Sequence, residues 1–324
     1  MRANHPISDF KPATSPTAPP VWQLAPDWLK LPNGMTSLGD AHGDIAVRSN
    51  GDLYVSVAGG PLAGLQVYGS DGHYLRNVPG APADLHGFIL RPENGSEFIY
   101  GTLLASGKVI KMTLDGQVLL TISGESIPRE FWAVDAKTNA LLLKLTACAV
   151  APNGDIYVTD GYGADCIHRF NAQGVYQNSF GGKAEPCNFR TLHKLTIDTR
   201  YAPARLLATD RANDRLVHFS LEGEWLGEVT TGLRLPSALH IQGDWVAIGE
   251  LRGRVTILDG QNEIAAQLGT NEVADEIGTN QTPPAKWRPG IVNAAHGVTF
   301  NPAGDLFVTE WSVFGRVHRF NRLK

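Results

Sequence analysis

Residues 296–311 read HGVTFNPAGDLFVTEW, and that stretch decides the fold. An apolar run meets an Asn-Pro-x-Gly-Asp turn and returns as a β-rich run that ends in polar residues. Glycine at such a turn supplies the positive φ of a tight hairpin, and the flanking branched and aromatic residues favour strands. The same pattern recurs at residues 43–59 (GDIAVRSNGDLYVSVAG), 86–102 (HGFILRPENGSEFIYGT), 146–163 (TACAVAPNGDIYVTDGYG), 193–211 (HKLTIDTRYAPARLLATDR) and 237–251 (SALHIQGDWVAIGEL). A third strand follows, as in residues 164–170 (ADCIHRF), 213–219 (NDRLVHF) and 315–320 (GRVHRF), and most copies add a fourth, as in 175–180 and 225–229. Four short antiparallel strands per copy make a propeller blade, so six copies predict an all-β, six-bladed β-propeller.

The sixth copy reaches the end of the sequence after its third strand, which leaves an unpaired edge. Residues 21–24 (VWQL) precede the first copy and are expected to close the ring as the missing strand. The expected organisation is a disordered Pro/Thr/Ser tail over residues 1–20 and a single propeller domain over 21–324. Two stretches break the blade rhythm, residues 125–143, with a possible short helix, and residues 270–293. Each joins an outer strand to the next inner one, so both should lie on the face where inner strands begin.

Composition fits a turn-rich soluble β protein: 43% hydrophobic residues, 35 glycines and 19% charged residues. No apolar run is long enough for a membrane helix, and a net charge of −4 without a basic stripe argues against nucleic acid as a partner. The N-terminal residues lack a secretory apolar stretch. Cys148, Cys166 and Cys187 are an odd number without framework spacing, so a reducing cytoplasm is expected, with a Cys166–Cys187 bridge as the alternative. The expected partner is a small-molecule substrate, and the expected state a monomer or weak homo-oligomer.

His86, His193 and His296 open the second, fourth and sixth copies. First strands line a propeller's channel, so these three should point inward from alternate blades a third of a turn apart. That is the arrangement of three facial ligands of a tetrahedral Zn²⁺ with one position open, one ion per chain. Any one of them alone would ordinarily bind water or a carbonyl; the trio is what implies a metal. His42 precedes its copy by one residue and His240 lies three past its slot. His168, His218 and His318 fall on third strands, where a solvated or hydrogen-bonded surface role is expected. None of these five is a first choice as ligand.

Second strands run antiparallel to first strands, so their ends share the rim with the histidines. Those ends include Asp160-Gly161-Tyr162, Asp210-Arg211, Glu250 and Glu310-Trp311, which could surround the histidine ring. Beside a metal, Tyr162 could serve as acid or base and Arg211 could hold an anion or a developing negative charge. Otherwise Asp-Gly-Tyr is an ordinary turn and Asp-Arg a salt bridge.

The blades resemble NHL repeats. Residues 158–170 (VTDGYGADCIHRF), 192–197 (LHKLTI), 208–219 (ATDRANDRLVHF) and 295–300 (AHGVTF) are similar to the peptidyl-α-hydroxyglycine α-amidating lyases, a resemblance that runs from about residue 38 to the end. It implies zinc on His86, His193 and His296, Tyr162 as catalytic base, Arg211 at the site, and C–N cleavage of a carbinolamide to an amide and an aldehyde such as glyoxylate. Three departures stand out. Ser56-Val57-Ala58-Gly59 lacks the family's first-blade arginine, Gly297 replaces the acidic residue on the family's structural Ca²⁺, and Ala294 replaces a methionine. A structural calcium is therefore not expected, nor is a peptide substrate. Arg190, or Arg288 with Trp287, could replace the lost anion contact, and Trp311 is a further substrate-binding candidate. The alternatives are a metal-dependent ester or lactone hydrolase on the same site and a non-catalytic NHL propeller that binds a partner on its rim.

Overall fold

The computed structural model describes residues 20–323; the tail expected over residues 1–20 lies almost wholly outside them. Within them the chain forms a six-bladed β-propeller, each blade a four-stranded antiparallel sheet in simple meander order. The inner strands are Ile45–Val47, Leu85–Glu93, Ala147–Val150, Leu192–Asp198, Pro236–Gln242 and Ala295–Phe300 for blades 1 to 6. Each touches the inner strands of both neighbours, and blade 6 returns to blade 1.

The turns behave as the sequence requires. Gly154 and Gly304, at φ 91° each, turn the first strand of blades 3 and 6 into the second. Asn153 and Asn301 lock the same turns by accepting from the backbone N–H of Asp155 at 3.0 Å and Asp305 at 2.9 Å. Second strands such as Leu53–Val57 and Leu306–Glu310 are buried along their whole length because both faces meet a neighbouring blade. They therefore read as apolar runs rather than as alternating ones.

Six apolar clusters hold the ring, one in each cleft between adjacent blades. Phe88 and Leu85 meet Tyr54 and Val67 between blades 1 and 2, and Phe219 and Leu195 meet Tyr157 and Ile167 between blades 3 and 4. Among the described residues the axis itself carries no such cluster, which leaves it free for polar groups. Trp22–Leu24 completes blade 6 against Arg316–Arg322, with Trp22 opposite Arg322 and Leu24 opposite Phe320. The Trp22 indole donates to the Gly304 carbonyl at 3.0 Å and packs edge-on against Trp245.

One expectation changes and two become specific. The possible short helix in the stretch at 125–143 is a 3-10 turn at Arg129–Phe131, followed by a hairpin of Ala133–Val134 with Leu141–Leu142. His168, His218 and His318 are not surface groups, because neighbouring blades bury the third strands, and their rings instead bond Ser179, Asp198 and Glu310. Cys166 and Cys187 are both free thiols, as is Cys148. The second insertion does lie on the expected rim, since Gly278 donates to Leu251 and Val313 to Asn280. Among the described residues no helix is long and apolar enough to cross a membrane.

Candidate metal centre

Strand pairing sets which side chains reach the axis. Gly297 pairs with Thr309, Ala238 with Gly249 and Ala147 with Thr159. Gly87 and Lys194 meet Thr102 and Thr209 in the same way, through N–H to Oγ1 bonds of 3.2 and 2.9 Å. Gly43 takes this place in blade 1, where an added Cβ would stand 2.4 Å from that of Ser56. The residues just before these six share one slot: His42, His86, Thr146, His193, Ser237 and His296. His42, which starting the first copy at Gly43 left one residue out of step, is thus the blade 1 equivalent of the other three. The His-Gly pair at 42–43, repeated at 86–87 and 296–297, is the sequence signal for it. In blades 2, 4, 5 and 6 the ladder shifts register at this slot, a bulge that turns the side chain toward the axis.

Four imidazoles therefore gather at one mouth of the channel. His86 and His296 have ring centroids 5.0 Å apart, and each also touches His42, at 5.0 and 5.1 Å, and His193, at 5.1 and 4.9 Å. The two slots without histidine fix the tautomers. His86 Nδ1 donates to the Thr146 carbonyl and His193 Nδ1 to the Ser237 carbonyl, both at 2.7 Å. With Nδ1 so engaged, the lone pair of His86 and of His193 lies on Nε2.

These nitrogens fit a metal ion. His86 Nε2 and both ring nitrogens of His296 are buried without a conventional hydrogen-bond partner, a costly state for a polar atom in a protein interior. Burial holds the His86 imidazolium pKa down to about 3, with the neighbouring His42 adding to the effect. It also keeps His193 and His296 well below the ordinary value, and lowers His42. Neutral imidazoles are the form that ligates. Among the described residues, one ligand atom each from His42, His86 and His296 lie within 4.8 Å of one another.

Tyr162 and Arg211 complete the rim. The Tyr162 hydroxyl bonds His193 Nε2 at 2.9 Å, and Arg211 Nη1 donates to the same oxygen at 3.1 Å with its guanidinium over the phenol ring. On the far side Trp311 lies 5.8 Å from His42, centroid to centroid. A cavity of about 220 Å³ opens beside His42 and His86, lined also by Asp84 and Lys144. The sequence gives no motif that singles out those last two.

The acidic strand ends do not surround the imidazoles. Asp160, Asp210, Glu250 and Glu310 turn instead to the backbone N–H groups of Lys144, Arg190, Arg234 and Asn293, each on the segment entering the same blade. They brace the rim loops, and burial pushes the Asp160 carboxyl up to about 7. The other sequence candidates keep different company. Arg190 is exposed, Arg288 pairs with Glu276 and Asn271, and the Trp287 indole donates to Thr282 and lies against Arg316 and Phe314. Trp287 lines a separate cavity, with Trp28 and His318. Beneath the histidines Lys194 and Asp44 form an ion pair across the axis, from blade 4 to blade 1. Below that, a cavity of about 500 Å³ leads away along the inner strands.

The fold and site together define a six-bladed propeller with a histidine-ringed axis. No protein-family model and no curated protein matches the chain. Similar solved structures include a streptogramin B lyase, with 14% identity, a TM-score of 0.58, and 89% of this chain and 96% of that one covered. A protein of unknown function from Bacteroides thetaiotaomicron gives 13%, 0.62, 89% and 71%, and a gluconolactonase-like protein 13%, 0.57, 93% and 98%. At such identities the likeness is one of fold.

Proposed function

We propose that this protein is a metal-dependent lyase that cleaves the C–N bond of a carbinolamide-like small molecule, the chemistry of the amidating lyases it resembles. The observation that carries this reading is the chain Ser237 C=O, His193, Tyr162, Arg211, continuous through hydrogen bonds of 2.7, 2.9 and 3.1 Å beside the partnerless imidazole nitrogens. His86 and His296 are the core of the ligand set, completed by a third imidazole of the ring; His193 is the one the family resemblance implies. Zinc suits an all-imidazole set with an open position. Bound there, it supplies Lewis acidity toward the substrate hydroxyl.

The rest falls to the chain's own side chains. His193 accepts from the phenol, and Arg211 stabilises negative charge on the phenol oxygen, so Tyr162 is set up to take the hydroxyl proton of the substrate. As the carbonyl forms, the C–N bond breaks and the amide nitrogen receives the proton that Tyr162 holds. The products are an amide and an aldehyde, with no water consumed. Trp311 offers an apolar wall next to His42 for the remainder of the substrate.

Fold likeness to both a lyase and a gluconolactonase-like protein is compatible with this chemistry and also supports a second reading, hydrolysis of an ester or lactone at the same site. Metal analysis and turnover separate the cases. Chelator-free protein should carry about one metal ion per chain and release glyoxylate from α-hydroxyglycine derivatives. Metal at a small fraction of that level sinks both readings, and incorporation of oxygen-18 from labelled water would select the hydrolase.

A further inference from the structure

We propose that His42 is the third metal ligand, with the ion resting on His42, His86 and His296, while His193 serves as the proton acceptor of Tyr162. This rests on the metal-dependent reading above and redistributes its four imidazoles.

Three observations carry it. First, the donor atoms of His42, His86 and His296 are the ones gathered within 4.8 Å. Second, His193 has no lone pair to spare. Its Nδ1 hydrogen goes to the Ser237 carbonyl, so its single lone pair is on Nε2, and that pair accepts from the Tyr162 hydroxyl at 2.9 Å. An ion on His193 would have to take that lone pair from Tyr162, whereas His86 Nε2 and both His296 nitrogens have no partner to lose. Third, His42 has its own supports. Trp311 lies tilted 35° to its ring at 5.8 Å, and Asp40, two residues earlier in the chain, has a buried Oδ1 without a hydrogen-bond partner.

The division assigns each imidazole one task. Carbonyl, imidazole and phenol stand in the order of an orienting group, a base and the residue it activates. The phenol proton moves to His193 Nε2, the phenolate oxygen held by Arg211 removes the substrate hydroxyl proton, and the proton on His193 returns through Tyr162 to the departing nitrogen. His193 acts through Tyr162 and is a positioning residue for the reaction.

The test is Zn²⁺ affinity of the metal-free protein, read by competition with a chromophoric chelator, for wild type, His42→Ala, His86→Ala, His193→Ala and Tyr162→Phe. His42→Ala and His86→Ala should each weaken binding on the order of 100-fold or more, while His193→Ala and Tyr162→Phe stay within about threefold. In steady-state kinetics, His193→Ala should lower kcat with KM little changed. Loss of Zn²⁺ from His193→Ala with retention in His42→Ala would overturn the inference and leave the metal-dependent reading intact; so would equal losses in both. A wild type that takes up no Zn²⁺ defeats the reading itself. Melting curves of the metal-free variants separate misfolding from ligand loss. Tyr162→Phe needs no histidine change: if His193 were the ligand, removing its competitor would tighten Zn²⁺ binding, a result that would also overturn the inference.

Discussion

Arg211 reaches the reacting centre through the bond of its Nη1 to the Tyr162 oxygen, and that makes it a clean probe of charge stabilisation. Arg211→Met removes a donor aimed at developing negative charge, a loss worth roughly 10²- to 10³-fold in kcat. Metal content should not change, because Arg211 touches the phenol and not the nitrogens of His86 or His296. A variant with wild-type kcat would remove Arg211 from the chemistry. Asp160 offers a test at the same scale that activity does not enter. Burial raises its folded pKa to about 7 from the ordinary 3.8, against the opposing bonds from Ala164 and Lys144. Between those values the folded chain holds a proton that the unfolded chain has released, so stability falls as pH rises through that window and levels off above about 7. Asp160→Asn abolishes the slope. Its melting temperature relative to wild type should therefore climb from pH 5 to pH 8, and a relative decline would show that the backbone donors outweigh desolvation.

The strands separate what the sequence discloses from what it withholds. Apolar runs such as those of Leu53–Val57 and Leu306–Glu310, bounded by glycine turns, identify second strands at once, and with them the blade count. First strands are harder. That of blade 1 is only Ile45–Val47, with the buried polar Asp44 just before it, so periodicity places its start one residue late and hides His42. The bulges that aim the slot residues at the axis are long-range pairing features with no local composition of their own. Tyr162 and Arg211 were legible because strand direction alone puts them on the rim. The partners of Arg288 and Trp287 were not, since they are set by the fold of an insertion without a repeat. The closing strand can be tested directly. Trp22 is 8% exposed within the cluster between blades 5 and 6 and bonds Gly304. Trp22→Ala should cost about 3–5 kcal/mol, seen as a fall in denaturation midpoint; a midpoint unmoved would mean that the ring holds without its N-terminal strand.

A propeller keeps its apolar clusters between blades, so nothing apolar ties one side of the ring to the other. The Lys194–Asp44 pair does so here, joining blade 4 to blade 1 beneath the histidines, with side chains only 7% and 6% exposed. Two consequences compete. A buried ion pair gains little over an apolar replacement of the same volume, because desolvation of both charges offsets their attraction. Removing one partner, however, strands the other in the channel, at roughly 3–5 kcal/mol. Lys194→Met and Asp44→Leu should each therefore destabilise the whole ring by about that much, while the double variant recovers most of the loss. The same cycle reads the site above. If the crossbar only holds the ring together, the double variant should regain Zn²⁺ affinity along with stability. If it also positions the imidazoles, through His193 on the residue before Lys194 and His42 two before Asp44, stability will return and Zn²⁺ affinity will not. Additive single losses with no recovery in the double variant would show that Lys194 and Asp44 do not act as a pair across the axis.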